Sequence, residues 1–132
     1  MTASPAPTPA APEPVPDAAA AMVAWARGDY STQAAVAITL NSSIRHLFID
    51  DTEAPTSWVD WSGHFARPRW GEYLAANRGM SSGERFLVAL CENIAHGPED
   101  APGLNLGGLW NLDPRNRGAV LDALNANLDA TR

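Results

Sequence analysis

The stretch from Met80 to Gly97 constrains the fold of this chain more than any other, because it holds the start signal, apolar stripe and stop signal of one helix. Ser81 or Ser82 can cap that helix, and Glu84 falls in its electropositive first turn. Phe86, Leu87, Leu90, Cys91 and Ile94 then recur at helical spacing. His96 and Gly97 close it, a cation-capable side chain in the last turn followed by the residue that adopts a left-handed conformation most cheaply. Leu90 is expected inside. The face of Arg85, Ala89, Glu92 and His96 lies opposite the stripe and is expected to be solvated.

At 132 residues the chain is one domain's worth, long enough to bury a core without metal or disulfide. Its 45% hydrophobic content overstates that core, since 24 of those residues are alanines, which favour helix but bury little area each. Large side chains must supply the packing, and five tryptophans are the first candidates. The single cysteine, Cys91, has no intramolecular partner and sits on an apolar helix face, which implies a reducing compartment.

A formal net charge of −6 argues against sequence-independent binding to a phosphate backbone, where a basic face is the usual footprint. All nine basic residues are arginines, a bias expected of a GC-rich genome. With no lysine, the chain excludes a Schiff-base lysine, a lysine general base and a phosphate-binding loop that ends in lysine. The N-terminus lacks the basic and apolar regions of a secretory signal, and no apolar run approaches the ~20 residues that span a bilayer. The expectation is a soluble, cytoplasmic chain with no membrane partner.

Six of the eleven prolines fall in residues 1–16, interleaved with alanine, which predicts a disordered, polyproline-like tail ahead of a single helical domain over 17–130. Pro9 and Pro12 form a P-x-x-P without a flanking arginine, as a segment so rich in proline does by chance. Asp17 can cap a short alanine-rich helix that ends at Gly28. A second helix starting at Ser31 or Thr32 is read from Val36, Leu40, Ile44, Leu47 and Phe48, with a strand through Val36, Ile38 and Leu40 as the competing reading.

After an acidic loop from Asp50 to Pro55, Thr56 or Ser57 can cap a third helix carrying Trp58, Trp61 and Phe65. Pro68 restarts the chain into a fourth, with Trp70 and Leu74 four apart before Asn77 and Gly79 stop it. A loop rich in glycine and proline, Pro98 to Gly108, leads to Leu109, Trp110 and Leu112, which are expected to avoid water. Asp113-Pro114 then opens a last helix lined by Val120, Leu121, Leu124 and Leu128. The fold class that follows is all-α, a compact bundle of about five to six helices with a Pro/Ala-rich tail and no strand.

Trp58, Trp61, Phe65, Trp70 and Tyr73 interleave with His64, Arg67 and Arg69, and Trp58, Trp61, Arg67, Arg69, Trp70 and Tyr73 have the composition of an interaction surface, since Trp, Tyr and Arg dominate binding hot spots. Aromatic platforms beside arginines also suit single-stranded nucleic acid, which would use Arg67, Arg69, Trp70 and Arg78. Against both stands packing: helical spacing turns Trp58, Trp61 and Phe65 to one side, where small alanine neighbours need large partners.

No catalytic constellation emerges. Cys91 is expected to be buried without a base, Ser81 and Ser82 lack the glycine-flanked elbow of hydrolases, and Asp50-Asp51 and Glu99-Asp100 sit in loops without an apolar pocket. Glu92 with His96, and His46 with Asp50, have the i, i+4 offset of metal ligands, but a zinc site with no second cysteine is not supported. No metal or cofactor is implied.

Met80-Ser81-Ser82-Gly83-Glu84-Arg85 resembles the signature motif of ABC-type ATPases, and Leu112-Asp113 resembles their D-loop. The lysine of their phosphate-binding loop is absent, so the resemblance implies at most a helix N-terminus able to hold an anion. From Ala18 to Leu128 the chain is similar in style to small uncharacterised helical proteins of actinobacteria and their phages. That resemblance implies an accessory protein of a mobile element and no activity. The resulting expectation is a non-catalytic module that binds another protein or itself, with a nucleic-acid-associated accessory protein as the alternative.

Overall fold

The computed structural model describes residues 17–76, 79–97 and 104–129. The expected tail over 1–16, and Arg78 with most of the loop from Pro98, lie outside these. Among the described residues the chain is mostly helical, with six α-helices, one 3-10 helix and one two-stranded sheet.

The first two helices follow local capping signals. Asp17 accepts from the Ala20 N–H at 3.0 Å and opens α1 (Ala18–Ala26). Asp29 accepts from the Thr32 N–H at 3.3 Å and from the Ser31 hydroxyl at 2.8 Å, so α2 (Tyr30–Asn41) begins one residue before Ser31. The β-branched residues of α2 are helical, which decides against the strand reading of Val36 to Leu40. That helix does not run on to Phe48. At Ser43 the backbone N–H donates to Asn116 Oδ1 at 2.9 Å, while Asn116 Nδ2 donates to the Ser43 hydroxyl at 2.9 Å. These bonds from a distant helix replace helical ones, and the chain resumes as the single turn α3 (Arg45–Phe48).

The expected third helix is a β-hairpin. Strands β1 (Val59–Trp61) and β2 (Ala66–Pro68) pair antiparallel with Val59 opposite Pro68, Asp60 opposite Arg67 and Trp61 opposite Ala66. Gly63 turns the chain at φ +88°, a conformation that a helix interior does not use. Burial in β2 alternates, with Ala66 and Pro68 inside and Arg67 half-exposed, the period-two pattern of a sheet that covers a core on one face. Pro68 therefore ends a strand, and α4 (Trp70–Ala76) starts two residues later.

Helix α5 (Ser82–His96) has the expected ends. Ser81 accepts from the Glu84 N–H at 3.2 Å, Glu84 accepts from the Ser81 N–H at 3.3 Å, and Gly97 takes φ +106°. A 3-10 helix (Leu106–Asn111) follows, and Asp113, which accepts from the Asn116 N–H at 2.8 Å, caps α6 (Pro114–Asp129).

Helix α2 is central, packed by α1, α5 and α6, while α4 packs on α5 and inserts Trp70 toward Thr39 of α2. Trp70, Phe48, Met22, Ile38, Ile44 and Leu87 are the largest fully buried side chains. Trp70 donates its indole N–H to Thr39 Oγ1 at 2.9 Å, and Thr39 in turn donates to the Ala35 carbonyl at 2.9 Å, so the polar atoms of the largest core residue are satisfied. Leu87, Leu90 and Cys91 are buried as the stripe of α5 requires.

Candidate interaction surface

The hairpin and the first turn of α4 place the aromatic and arginine residues of residues 58–73 on two opposite sides. Trp70 is 0% exposed and Tyr73 is buried, so both leave the expected surface and join the core. The cause is position: each lies on the face of α4 that packs on the rest of the domain. Trp58 is half-buried between the two sides, edge-on to Tyr73 at a ring separation of 4.9 Å, with the Arg69 guanidinium 5.8 Å from its ring centre.

Trp61 and Phe65 project outward. Trp61 is 37% exposed and Phe65 50%, which corrects the expectation that both fill the core. Strand geometry separates Trp58 from Trp61 and puts Phe65 in the turn, where Ser62 donates its N–H (3.0 Å) and its hydroxyl (3.2 Å) to the Phe65 carbonyl. The turn is thereby held in one shape with the exposed His64 between two aromatic side chains. Phe65 and His64 belong to the aromatic and basic cluster read in the sequence, but the hairpin was missed; Gly63 between two aromatics was its signal.

Arg67 and Arg69 are on this surface, but their charge is matched. Arg67 donates to Asp60 Oδ2 from Nε (3.1 Å) and Nη2 (2.6 Å), and it lies 3.8 Å from Glu72. Arg69 is 4.0 Å from both Asp60 and Glu72. Two guanidinium groups and two carboxylates make a patch without net charge, ill-suited to phosphate. Around it the presented chemistry is aromatic and apolar.

Two other expectations for the surface are reversed. Glu92 is 6% exposed, buried between α5 and α4, and its Oε2 lies 3.1 Å from His96 Nδ1. Glu92 is covered because Gly71 of α4 approaches it without a side chain, while Arg85 and His96 of the same face stay exposed as expected. Trp110 is mostly exposed, as are Leu121 and Leu128, so these apolar residues do not all turn inward, whereas Leu112 and Val120 do.

Neither nucleophile nor metal chemistry is assembled among the described residues. Burial pushes the Cys91 thiol up to about 12, with the neighbouring Glu92 charge adding to it and the hydrogen bond between Thr39 and the thiol opposing. A thiol in that state is not a nucleophile at neutral pH. Among the described residues no group of three or more His, Cys, Asp or Glu is placed to hold a metal ion, and no helix is long and apolar enough to cross a membrane. At the segment that resembles the ABC signature, the reciprocal Ser81–Glu84 bonds occupy the helix N-terminus, and His46 Nε2 lies 3.4 Å from Glu84. Leu112 and Asp113 line the same groove, where Asp113 caps α6. No protein-family model, curated protein or solved structure matches this chain.

Proposed function

We propose that this protein is a non-catalytic helical interaction module, a compact bundle whose contact surface is the hairpin bearing Trp61 and Phe65. The observation that carries the reading is the exposure of these two aromatic side chains on a turn held by hydrogen bonds, next to a charge-matched group of Arg67, Arg69, Asp60 and Glu72. Large aromatic residues on a preorganised loop are the composition of interface hot spots, and desolvating them on a partner is favourable. A partner surface of apolar character with a polar rim is the chemistry that fits. A cytoplasmic location and an accessory role in a phage or other mobile element complete the proposal, on the strength of the resemblance in style and the absence of lysine.

The alternative, a nucleic-acid accessory protein acting through Arg67, Arg69 and Arg78, is disfavoured by the ion pairs that already engage Arg67 and Arg69. The two separate by salt. In affinity capture from a native host extract, a partner held by wild type and lost with Trp61→Ser and Phe65→Ser, with little change between low and physiological ionic strength, supports the hairpin. Binding of a single-stranded oligonucleotide that weakens steeply with salt and disappears with Arg67→Ala would replace this proposal with the alternative.

A further inference from the structure

The hydrogen bonds of the hairpin leave one of its edges open. In an antiparallel pair, bonded and non-bonded residue pairs alternate along the strands. Arg69 donates its N–H to the Trp58 carbonyl at 2.9 Å and Ser62 donates to the Phe65 carbonyl at 3.0 Å, so these pairs face inward, as does Asp60 with Arg67 between them. Val59 and Trp61 therefore turn their backbone groups away from β2. The Val59 N–H is taken by the Thr56 carbonyl at 3.2 Å. Among the described residues, the Val59 carbonyl and both the N–H and the carbonyl of Trp61 have no backbone partner. The opposite edge is closed: Pro68 has no N–H to offer there, and α1 packs along β2. β1 has no proline or lysine, and none of the described elements packs along it as α1 does along β2, so its edge is a template for an added strand.

What fits such an edge is an extended segment with donors and acceptors along one side, and the chain holds one ahead of α1. Residues 5–9 read Pro-Ala-Pro-Thr-Pro. Alternate residues of a strand direct their N–H and carbonyl groups to the same edge, so proline at 5, 7 and 9 confines the donors to the side of Ala6 and Thr8. A residue before proline favours extended backbone, which suits Ala6 and Thr8 to a strand.

We propose that residues 5–9 add to the hairpin as a strand antiparallel to β1, with Ala6 opposite Trp61 and Thr8 opposite Val59. The Trp61 N–H then donates to the Ala6 carbonyl, the Ala6 N–H to the Trp61 carbonyl and the Thr8 N–H to the Val59 carbonyl. The prolines fall on the outer side, where they stop a further strand from adding. Reach permits this arrangement. Ala18 donates its N–H to the Glu53 carbonyl at 3.1 Å, which fixes the start of α1 beside the loop that leads into β1. The six residues from Glu53 to Val59 span at most about 20 Å, and the nine from Thr8 to Asp17 extend to about 30 Å. Residues 12–16 repeat the alternation of proline with a shorter reach, at most about 18 Å. The inference goes beyond the partner reading, because it concerns the backbone edge of β1, not the side chains of Trp61 and Phe65, and it is measured with no partner present.

Amide hydrogen exchange of the isotope-labelled full chain, read by NMR, tests it. The Trp61 amide is expected to exchange at least about 10-fold more slowly in wild type than in a variant carrying Ala6→Pro and Thr8→Pro, which lacks the edge donors. Pro7→Ala, on the outer side of the added strand, should leave that protection intact. All three positions precede Asp17, the cap of α1, so the contacts of the helical domain are unchanged. Equal exchange in wild type and the double variant overturns the proposal. Protection lost with Pro7→Ala but kept in the double variant would assign docking to the proline rings and also overturn it. So would protection lost with Glu13→Pro and Val15→Pro alone, which would move the strand to residues 12–16, and protection that falls on dilution, which would give the strand to a second copy of the chain.

Discussion

Gly71 and Glu92 meet where α4 crosses α5, and a Cβ added to Gly71 would lie 2.9 Å from Glu92 Oε1. The carboxylate occupies the space that the glycine leaves, and it remains within hydrogen-bond distance of His96. Gly71→Ala should therefore cost about 1 to 3 kcal/mol, because the displaced side chain is buried and has little room to move. In a Glu92→Ala background the same change should cost much less, a coupling that urea unfolding of the four-member cycle measures. Additive effects would show that the two residues do not compete for space. By itself Glu92→Ala should cost about 1 to 3 kcal/mol, since it leaves a void and removes the partner of His96.

The tryptophans should behave in opposite ways. Trp70→Ala removes the largest fully buried side chain and its bond to Thr39, with an expected cost of about 3 to 5 kcal/mol. Trp61→Ala, at an exposed strand position, should cost under about 1 kcal/mol and act on partner capture instead. Chemical denaturation of the two variants distinguishes these outcomes, and equal losses of stability would contradict the outward placement of Trp61.

Cys91 should resist thiol reagents in the native state. With burial holding its pKa near 12, the thiolate at pH 8 is on the order of one part in ten thousand, and the sulfur is in addition shielded. Colour release from a disulfide reagent should follow unfolding in urea and be negligible without it. Prompt labelling of native protein would place the sulfur at the surface.

Acid should weaken the domain through two hydrogen-bonded carboxylates, Asp29 at the start of α2 and Asp50 in the loop after α3. Hydrogen bonds, foremost from the Ser31 hydroxyl to Asp29 and from the Thr52 hydroxyl to Asp50, hold both groups below the ordinary value of 3.8. Groups lowered in this way bind fewer protons when folded than when unfolded, so their contribution is complete above 3.8 and is lost as pH falls through the lower folded values. The urea midpoint should stay level down to about pH 5 and drop toward pH 3. Asp29→Asn should flatten part of that drop; an unchanged slope would deny Asp29 its role.

The elements legible in the sequence were those whose signals lie within a few residues of one another. Asp17, Ser81 with Glu84, and Asp113 before Pro114 cap helices through bonds to residues three positions on, and such bonds form whatever the rest of the chain does. The apolar stripe of Leu87, Leu90 and Cys91 was likewise a local periodic pattern. Tertiary structure decided what that local code left degenerate. Trp58, Trp61 and Phe65 fit a helical face by spacing, but burying Ala66 and Pro68 of β2 on one side of a sheet selected the hairpin and turned Trp61 and Phe65 outward. Asn116, seventy-three residues away, ended the second helix at Ser43. Glu92 became buried because α4 happens to present a glycine there. Each of these outcomes depends on a partner distant in sequence, and its energy exists only once the two segments have met.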